Sequence, residues 1–341
     1  MSDAGEGQAA LDLRPLEMGE LVDRTAGLWR RHVGPFFRLY LGFALVQYAL
    51  AKGFVLGMAR WAPLFLGGQA LATAMSTDPE AVLRQVPAWL ELFGAFFVIY
   101  SWVNWFSWVV MSDFAVGAWL GRAVSVAGSL RRALRRSGAA TLAFGIAALY
   151  LVAALIVCML PGAGLFGLAI AADAGPLATA ILLALGGVLV LLGMVAALLW
   201  YVLRFLFTCQ VLALEELGGL GAIRRSGRLI SGRVGRGFLG WVKVRATVLV
   251  TVVALLVFTV TFVSGLPALV IQSVYGNLLD PAHATPSAVP QSLLVPAELV
   301  QVVVQAVFAP FYIAFAGLFY ADMRVRREGL DLELALEREG A

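Results

Sequence analysis

The chain reads as an all-α, polytopic membrane protein. It is predicted to have six transmembrane helices in three hairpins, each hairpin preceded by a cytoplasmic interfacial amphipathic helix. Three observations predict this. Six apolar stretches, roughly 35–58, 92–120, 139–160, 178–206, 244–271 and 297–320, are each long enough for a hydrocarbon core, which takes about 20 residues. The segments between them alternate in basic charge: 1–34, 121–138, 207–243 and 321–341 hold 4, 5, 6 and 4 Arg or Lys, whereas 59–91 holds 2 and 161–177 and 272–296 hold none. Arg and Lys stay on the cytoplasmic side, which puts both termini inside. Composition agrees, at 61% hydrophobic and 13% charged residues, against about half and about a quarter in soluble globules.

Residues 1–34 form a cytoplasmic N-terminal segment. Asp3, Glu6 and Asp12 interrupt its start and no apolar core precedes the first span, so that span is expected to anchor uncleaved. Within the segment, Met18, Leu21, Val22, Thr25, Leu28 and Trp29 share one helical face, with Glu17, Glu20, Arg24 and Arg31 elsewhere. A second amphipathic segment, before the third span, sets Val126, Leu130, Ala133 and Leu134 against Arg131, Arg132, Arg135 and Arg136. A third, before the fifth span, sets Leu217, Leu220, Ile223 and Ile230 against Arg224, Arg225 and Arg228. Helices of this kind lie in the interface with Arg among the headgroups.

The six-helix membrane domain covers 35–322. Pro87, Pro176 and Pro296 each precede an even-numbered span and suit a first helical turn. Gly53-x-x-x-Gly57, Gly117-x-x-x-Gly121 and Gly186-Gly187 with Gly193 let helices approach closely. Trp61 and Trp89 mark the outer interface; Trp29, Trp119, Trp200 and Trp241 mark the inner one. Residues 281–292 are rich in Pro, Ala and Ser and read as an outer loop, and 323–341 form a cytoplasmic tail. The 23 Arg against 2 Lys reflect a GC-rich coding preference and predict a bacterial cytoplasmic membrane.

Enzyme chemistry is not predicted. His32 and His283 fall on opposite sides of the membrane, and no HExxH or CxxC occurs, so neither a metal nor any other cofactor is expected. Gly221–Leu229 lacks the Lys-Ser/Thr of a phosphate-binding loop. Cys158 and Cys209, at opposite ends of their spans, are too far apart for a disulfide. The net charge of +4 is mostly the inside bias, which favours anionic lipid and not nucleic acid.

Intramembrane ionisable residues are functional suspects by default. Asp113 lies two turns inside the second span with Asn104 further out, and Gln301 and Gln305 polarise the sixth, which Pro310 should kink. Arg38, Arg204, Arg245 and Lys52 lie near span ends and can snorkel, and Asp322 ends the sixth span. Two readings follow. In one, Arg131, Arg132, Arg135, Arg136, Arg224, Arg225 and Arg228 contact anionic lipid or a membrane-protein partner, and Asp322 pairs with an Arg of the third amphipathic segment. In the other, Asp113, Asn104, Gln301 and Gln305 form the polar site of a transporter or permease subunit between the second and sixth helices, open to the cytoplasm, with Asp113 facing Arg38 or Arg204; the same Asp–Arg pair also reads as an inter-helix salt bridge that fixes packing.

Two resemblances bear on these readings. Glu215-Glu-Leu-x-x-x-Gly221 has the spacing that opens the cytoplasmic loop of ABC permeases, but the Ile-x-Leu-Pro ending is absent. More of the chain is similar to a membrane domain attached to some bacterial glycerophosphodiester phosphodiesterases, which is also found alone. The motifs are Leu13-Arg-Pro-Leu16 with Gly19–Thr25 and Trp29–Gly34, then Leu214-Glu215 to Ala222–Leu229, then Phe319-Tyr-Ala-Asp-Met-Arg-Val-Arg-Arg-Glu-Gly-Leu-Asp-Leu332. The resemblance implies a six-helix membrane domain without an activity of its own. The phosphodiesterase barrel, with its His and Glu metal ligands, has no counterpart in this sequence.

Overall fold

The computed structural model describes residues 14–171, 175–235, 237–275 and 289–329. Leu13, Asp173, Asp280, His283, residues 281–288 of the expected outer loop and residues 330–341 of the expected tail lie outside the described residues. Among the described residues there is no β-strand, and the helices are α1 Met18–Arg31, α2 Val33–Trp61, α3 Gly68–Thr77, α4 Pro79–Trp119, α5 Val126–Arg135, α6 Ser137–Ala171, α7 Gly175–Phe205, α8 Thr208–Leu214, α9 Gly219–Ile230, α10 Val242–Tyr275 and α11 Gln291–Glu328. Six segments of the described residues are long and apolar enough to span a membrane: α2, α4, α6, α7 continuing into α8, α10 and α11.

The spans overrun their predicted limits. Residue 79, not 92, begins α4, because Pro79 occupies its first position and the Asp78 carboxylate accepts the Ala81 N–H at 3.0 Å. Such a cap satisfies one of the donors a helix start leaves orphaned. Pro87 therefore lies inside α4 and Pro296 inside α11, not at a first turn; only Pro176, second residue of α7, sits where predicted. The expected loop 59–91 also holds α3 and a 3₁₀ turn at Pro63–Leu66.

The chain divides into two compact units. The first comprises 1–18, 131–251 and 316–341. In it α6 and α7 pack in antiparallel register. A Cβ on Gly162 would lie 2.6 Å from the Val190 nitrogen and 2.7 Å from the Gly186 oxygen, and one on Gly193 would strike the Cys158 carbonyl. Tyr150 sits edge-on to Trp200 further along the pair. Gly187, by contrast, has only a distant contact with Phe166. Helix α9 lies against α6, α7 and α8. Its buried face is Gly219, Ala222, Ile223, Ser226, Leu229 and Ile230. The predicted apolar stripe is thus split: Ile223 and Ile230 are inside, whereas Leu217 and Leu220 are exposed.

The second unit comprises 19–130 and 252–315. Helices α2 and α4 run antiparallel through ring contacts of Phe36 with Phe114 at 5.1 Å, Phe43 with Phe106 at 6.3 Å and Phe54 with Phe96 at 4.5 Å. Gly57 meets Leu92, while Gly53 has open space beside it. Helix α1 buries Leu21, Thr25 and Leu28. Trp29 stacks on Phe308, and its Nε1 donates to the Val307 carbonyl at 2.9 Å. That carbonyl adjoins the one Pro310 cannot serve, so the indole meets a weakened stretch of the α11 ladder.

Candidate functional site

The basic segments supply two ion networks in the first unit. One centres on Asp322 of α11, whose side chain is fully buried. Its carboxylate accepts the Leu16 N–H at 2.8 Å, Arg245 Nη2 at 3.3 Å and Arg326 Nε at 3.0 Å on both oxygens. The Leu16 carbonyl accepts from Arg245 Nη2 at 2.8 Å and from Arg326 Nη2 at 2.6 Å. Two cations and the N-terminal backbone therefore converge on one carboxylate. The expected pairing of Asp322 with Arg224, Arg225 or Arg228 is corrected: its partners come from the start of α10 and from its own helix one turn on.

Arg225 belongs to the other network. Its Nε donates to Glu215 at 3.0 and 3.2 Å, and its Nη atoms take both oxygens of Glu328 at 2.5 and 2.6 Å. Burial works to lower the Arg225 guanidinium, but the hydrogen bonds and charges of Glu328 and Glu215 outweigh it and hold it above its ordinary value. Tyr320 Oη donates to Glu215 at 2.6 Å and Arg324 Nε to Glu328 at 3.1 Å. Arg136 caps this region by donating to the carbonyls of Leu212 at 3.0 Å and Glu215 at 2.6 Å. Arg327 donates to the Arg228 and Ser231 carbonyls at the C-terminal end of α9. Cations suit that end of a helix.

The other predicted contact residues face outward. Arg131, Arg132 and Arg135 of α5 are exposed, beside Leu134 at 54% exposure. Arg224 and Arg228 are exposed on the same face of α9 as Leu220, which is 52% exposed. Arg136 and Arg225 are thus internal fasteners, while the other five of the seven predicted contact residues present their side chains outward.

The second unit holds a polar cleft of about 270 Å³. Gln301 and Gln305 line it as predicted, but their companions are Gln47, Tyr48, Lys52, Tyr100 and Glu298. Lys52 Nζ lies 2.5 Å from Glu298 Oε2, which also accepts Tyr48 Oη at 2.9 Å. Asn104 reaches this group only through Gln47, whose Nε2 donates to it at 3.3 Å. The predicted site between the second and sixth helices is therefore built largely on the first and sixth. Asp113 is buried on α4, with an interaction of its own, and does not line the cleft. Arg204 lies in the first unit with its guanidinium over Gly227. Glu298 escaped sequence reasoning altogether; a lone Glu in the apolar stretch 297–320, with Lys52 the one lysine inside any of the six predicted stretches, was the available signal.

Among the described residues no three His, Cys, Asp or Glu side chains gather to hold a metal ion. The chain matches no family model, no curated protein and no solved structure.

Proposed function

We propose that the chain is a non-enzymatic, multi-pass scaffold of a bacterial cytoplasmic membrane that binds anionic lipid, or a membrane-protein partner, at a basic cytoplasmic face. Both termini lie inside, and the spans form three hairpins with α1, α5 and α9 as the interfacial helices. The observation that carries this reading is the division of labour among the arginines. Carboxylates and carbonyls occupy Arg136, Arg225, Arg245, Arg324, Arg326 and Arg327, whereas Arg131, Arg135 and Arg224 point outward beside exposed Leu134 and Leu220. A cation next to an exposed leucine at a span end matches the headgroup boundary of a bilayer. The antiparallel contacts of α2 with α4 and of α6 with α7 support the hairpins, as do those of Gly265 with Gln301 and Arg245 with Asp322 for α10 and α11. Kinship with the membrane domain of the phosphodiesterases belongs to the same proposal.

Native mass spectrometry of detergent-extracted protein tests it. The wild type is expected to retain more anionic lipid than Arg131→Gln/Arg135→Gln/Arg224→Gln. Equal retention by the two removes the lipid reading of this face.

The Lys52–Glu298 cleft favours a second reading, a transporter or permease subunit with a site on Gln47, Lys52, Glu298, Gln301 and Gln305. Under it, cysteines replacing Gln301 and Gln305 react with a membrane-impermeant maleimide. Unlabelled cysteines at both positions mean a packed interior.

A further inference from the structure

A cleft of about 340 Å³ opens in the first unit, lined by Tyr150, Trp200, Arg204, Gly227, Ser231 and Lys243 together with two aliphatic side chains. That volume lies at the small end of the range for ligand sites. It contains two cations and no carboxylate. Unlike the arginines of the ion networks, Arg204 and Lys243 make no side-chain hydrogen bond or ion pair among the described residues. In contrast to the arginines gathered around Asp322, Glu215 and Glu328, this pair shares a concave cleft with no carboxylate in its lining, so the cleft is a place where negative charge is missing.

Its surroundings specify the kind of anion. Arg204 closes the last turn of α7, a membrane-length helix, and Trp200, 55% exposed, stands one turn before it. From there Leu199, Val195, Leu192, Val188 and Leu185 run back along α7 at alternating spacings of four and three, all at least 40% exposed. That spacing is one continuous face of a helix. Leu203, one of the aliphatic side chains lining the cleft, continues this face four residues beyond Leu199, so the cationic cleft adjoins the apolar stripe, and the Trp200 indole beside it is a ring of the kind that sits at headgroup level. A soluble anion has no use for the stripe, and an acyl chain has no use for the cations. An anionic phospholipid uses both.

We propose that this cleft is a binding site for the phosphodiester headgroup of an anionic phospholipid. Arg204 and Lys243 donate to the phosphate oxygens, and an acyl chain lies along the α7 stripe. Basic pockets between helices on the cytoplasmic side bind such headgroups by the same charge complementarity. The inference rests on the proposed membrane reading but uses different residues from the outward arginines of α5 and α9. Gly227 positions the site. A Cβ there would collide with the Arg204 guanidinium, so the glycine leaves room for Arg204 to lie across α9 into the cleft.

The test titrates the full-length protein in neutral-detergent micelles with phosphatidylglycerol, phosphatidylcholine or free sn-glycerol 1-phosphate, reading bound lipid by native mass spectrometry and the melting temperature. Phosphatidylglycerol is expected to bind and raise the melting temperature, with phosphatidylcholine and glycerol phosphate inert at matched concentration. Arg204→Gln and Lys243→Gln should each weaken binding about fivefold, the value of one interfacial cation. Gly227→Ala keeps both charges and favours the helix, yet should weaken binding too by pushing the guanidinium aside. Arg131→Gln/Arg135→Gln/Arg224→Gln should leave this site unchanged, which separates its fate from that of the scaffold reading. Undiminished affinity in all three cleft variants overturns the proposal, as does failure of phosphatidylglycerol to bind the wild type. Glycerol phosphate binding as tightly as the lipid overturns the lipid assignment.

Discussion

Asp322→Ala is expected to be among the most damaging single changes in this chain, and the geometry says by how much. The variant removes the acceptor of the Leu16 N–H and the counter-charge of both Arg245 and Arg326. Arg245 is 8% exposed, so its charge stays in a poorly solvated place with only the Leu16 carbonyl as partner. Breaking a buried pair by deleting one member costs about 3–5 kcal/mol. Arg245→Met is the informative contrast. It leaves Asp322 with Arg326 and the Leu16 N–H, so the carboxylate remains neutralised, and the loss is that of one long and one good hydrogen bond, about 1–2 kcal/mol. In Asp322→Ala/Arg245→Met one stranded cation is gone, so the double variant should be more stable than Asp322→Ala alone. Arg225→Met, whose partners are Glu215 and Glu328, should show no such coupling with Asp322. Thermal unfolding in micelles, followed by fluorescence size-exclusion chromatography, ranks the variants. The argument fails if Asp322→Ala is no worse than Arg245→Met, or if the double variant loses the sum of the two singles.

Gly162→Ala should lower the melting temperature, by a loss of about 1–3 kcal/mol from overpacking, because its Cβ meets backbone atoms of α7 that cannot move singly. Gly164→Ala, two residues on with nothing within 4 Å, should be neutral or stabilising in the same assay. Glu298→Gln strands Lys52 at membrane depth and should be more destabilising than Glu298→Gln/Lys52→Met, read as surviving monomer after heating. Alkaline phosphatase fused at either terminus should be inactive, and insertions at Asp173 or Asp280 active; one active terminus refutes the proposed orientation.

The helices were legible because the signal for a span is a sum over about 20 residues. One misplaced charge does not erase it, and the six stretches survive in α2, α4, α6, α7, α10 and α11. Their ends were not legible. Apolarity fades at Glu91, but the backbone of α4 extends N-terminally to the Asp78 cap, because helix ends are set by caps and not by hydrophobicity. The third amphipathic segment was legible as a helix, but which part of its apolar stripe neighbouring helices cover was not. A stripe such as Ala222, Ile223, Ser226 and Leu229 has the same periodicity whether lipid or α6 covers it. Small residues carried the distinction. Gly219, whose Cβ would meet the Ala139 oxygen at 2.7 Å, is a residue required by a helix neighbour and not by a bilayer.

Which arginine meets which carboxylate was beyond the sequence for a geometric reason. Successive residues of a helix turn by about 100°, so a partner choice depends on rotations that charge counting averages away. Asp322 and Glu328 lie six residues apart on α11, yet one collects Arg245 and Arg326 and the other Arg225 and Arg324. Once those pairings are known, the basic residues of the first unit separate into two populations that composition alone blends. Charges held by Asp322, Glu215 and Glu328 hold the first unit together, and their loss should register as instability whatever lipid is present. Those with no side-chain partner among the described residues, Arg131, Arg135, Arg204 and Lys243, contribute little to holding the fold, because an exposed cation without a partner has no interaction to lose. Neutralising one of these should leave the melting temperature in lipid-free micelles nearly untouched and alter only what a ligand adds to it. An arginine whose replacement acts in the absence of ligand is structural, and one whose replacement acts only in its presence belongs to a site.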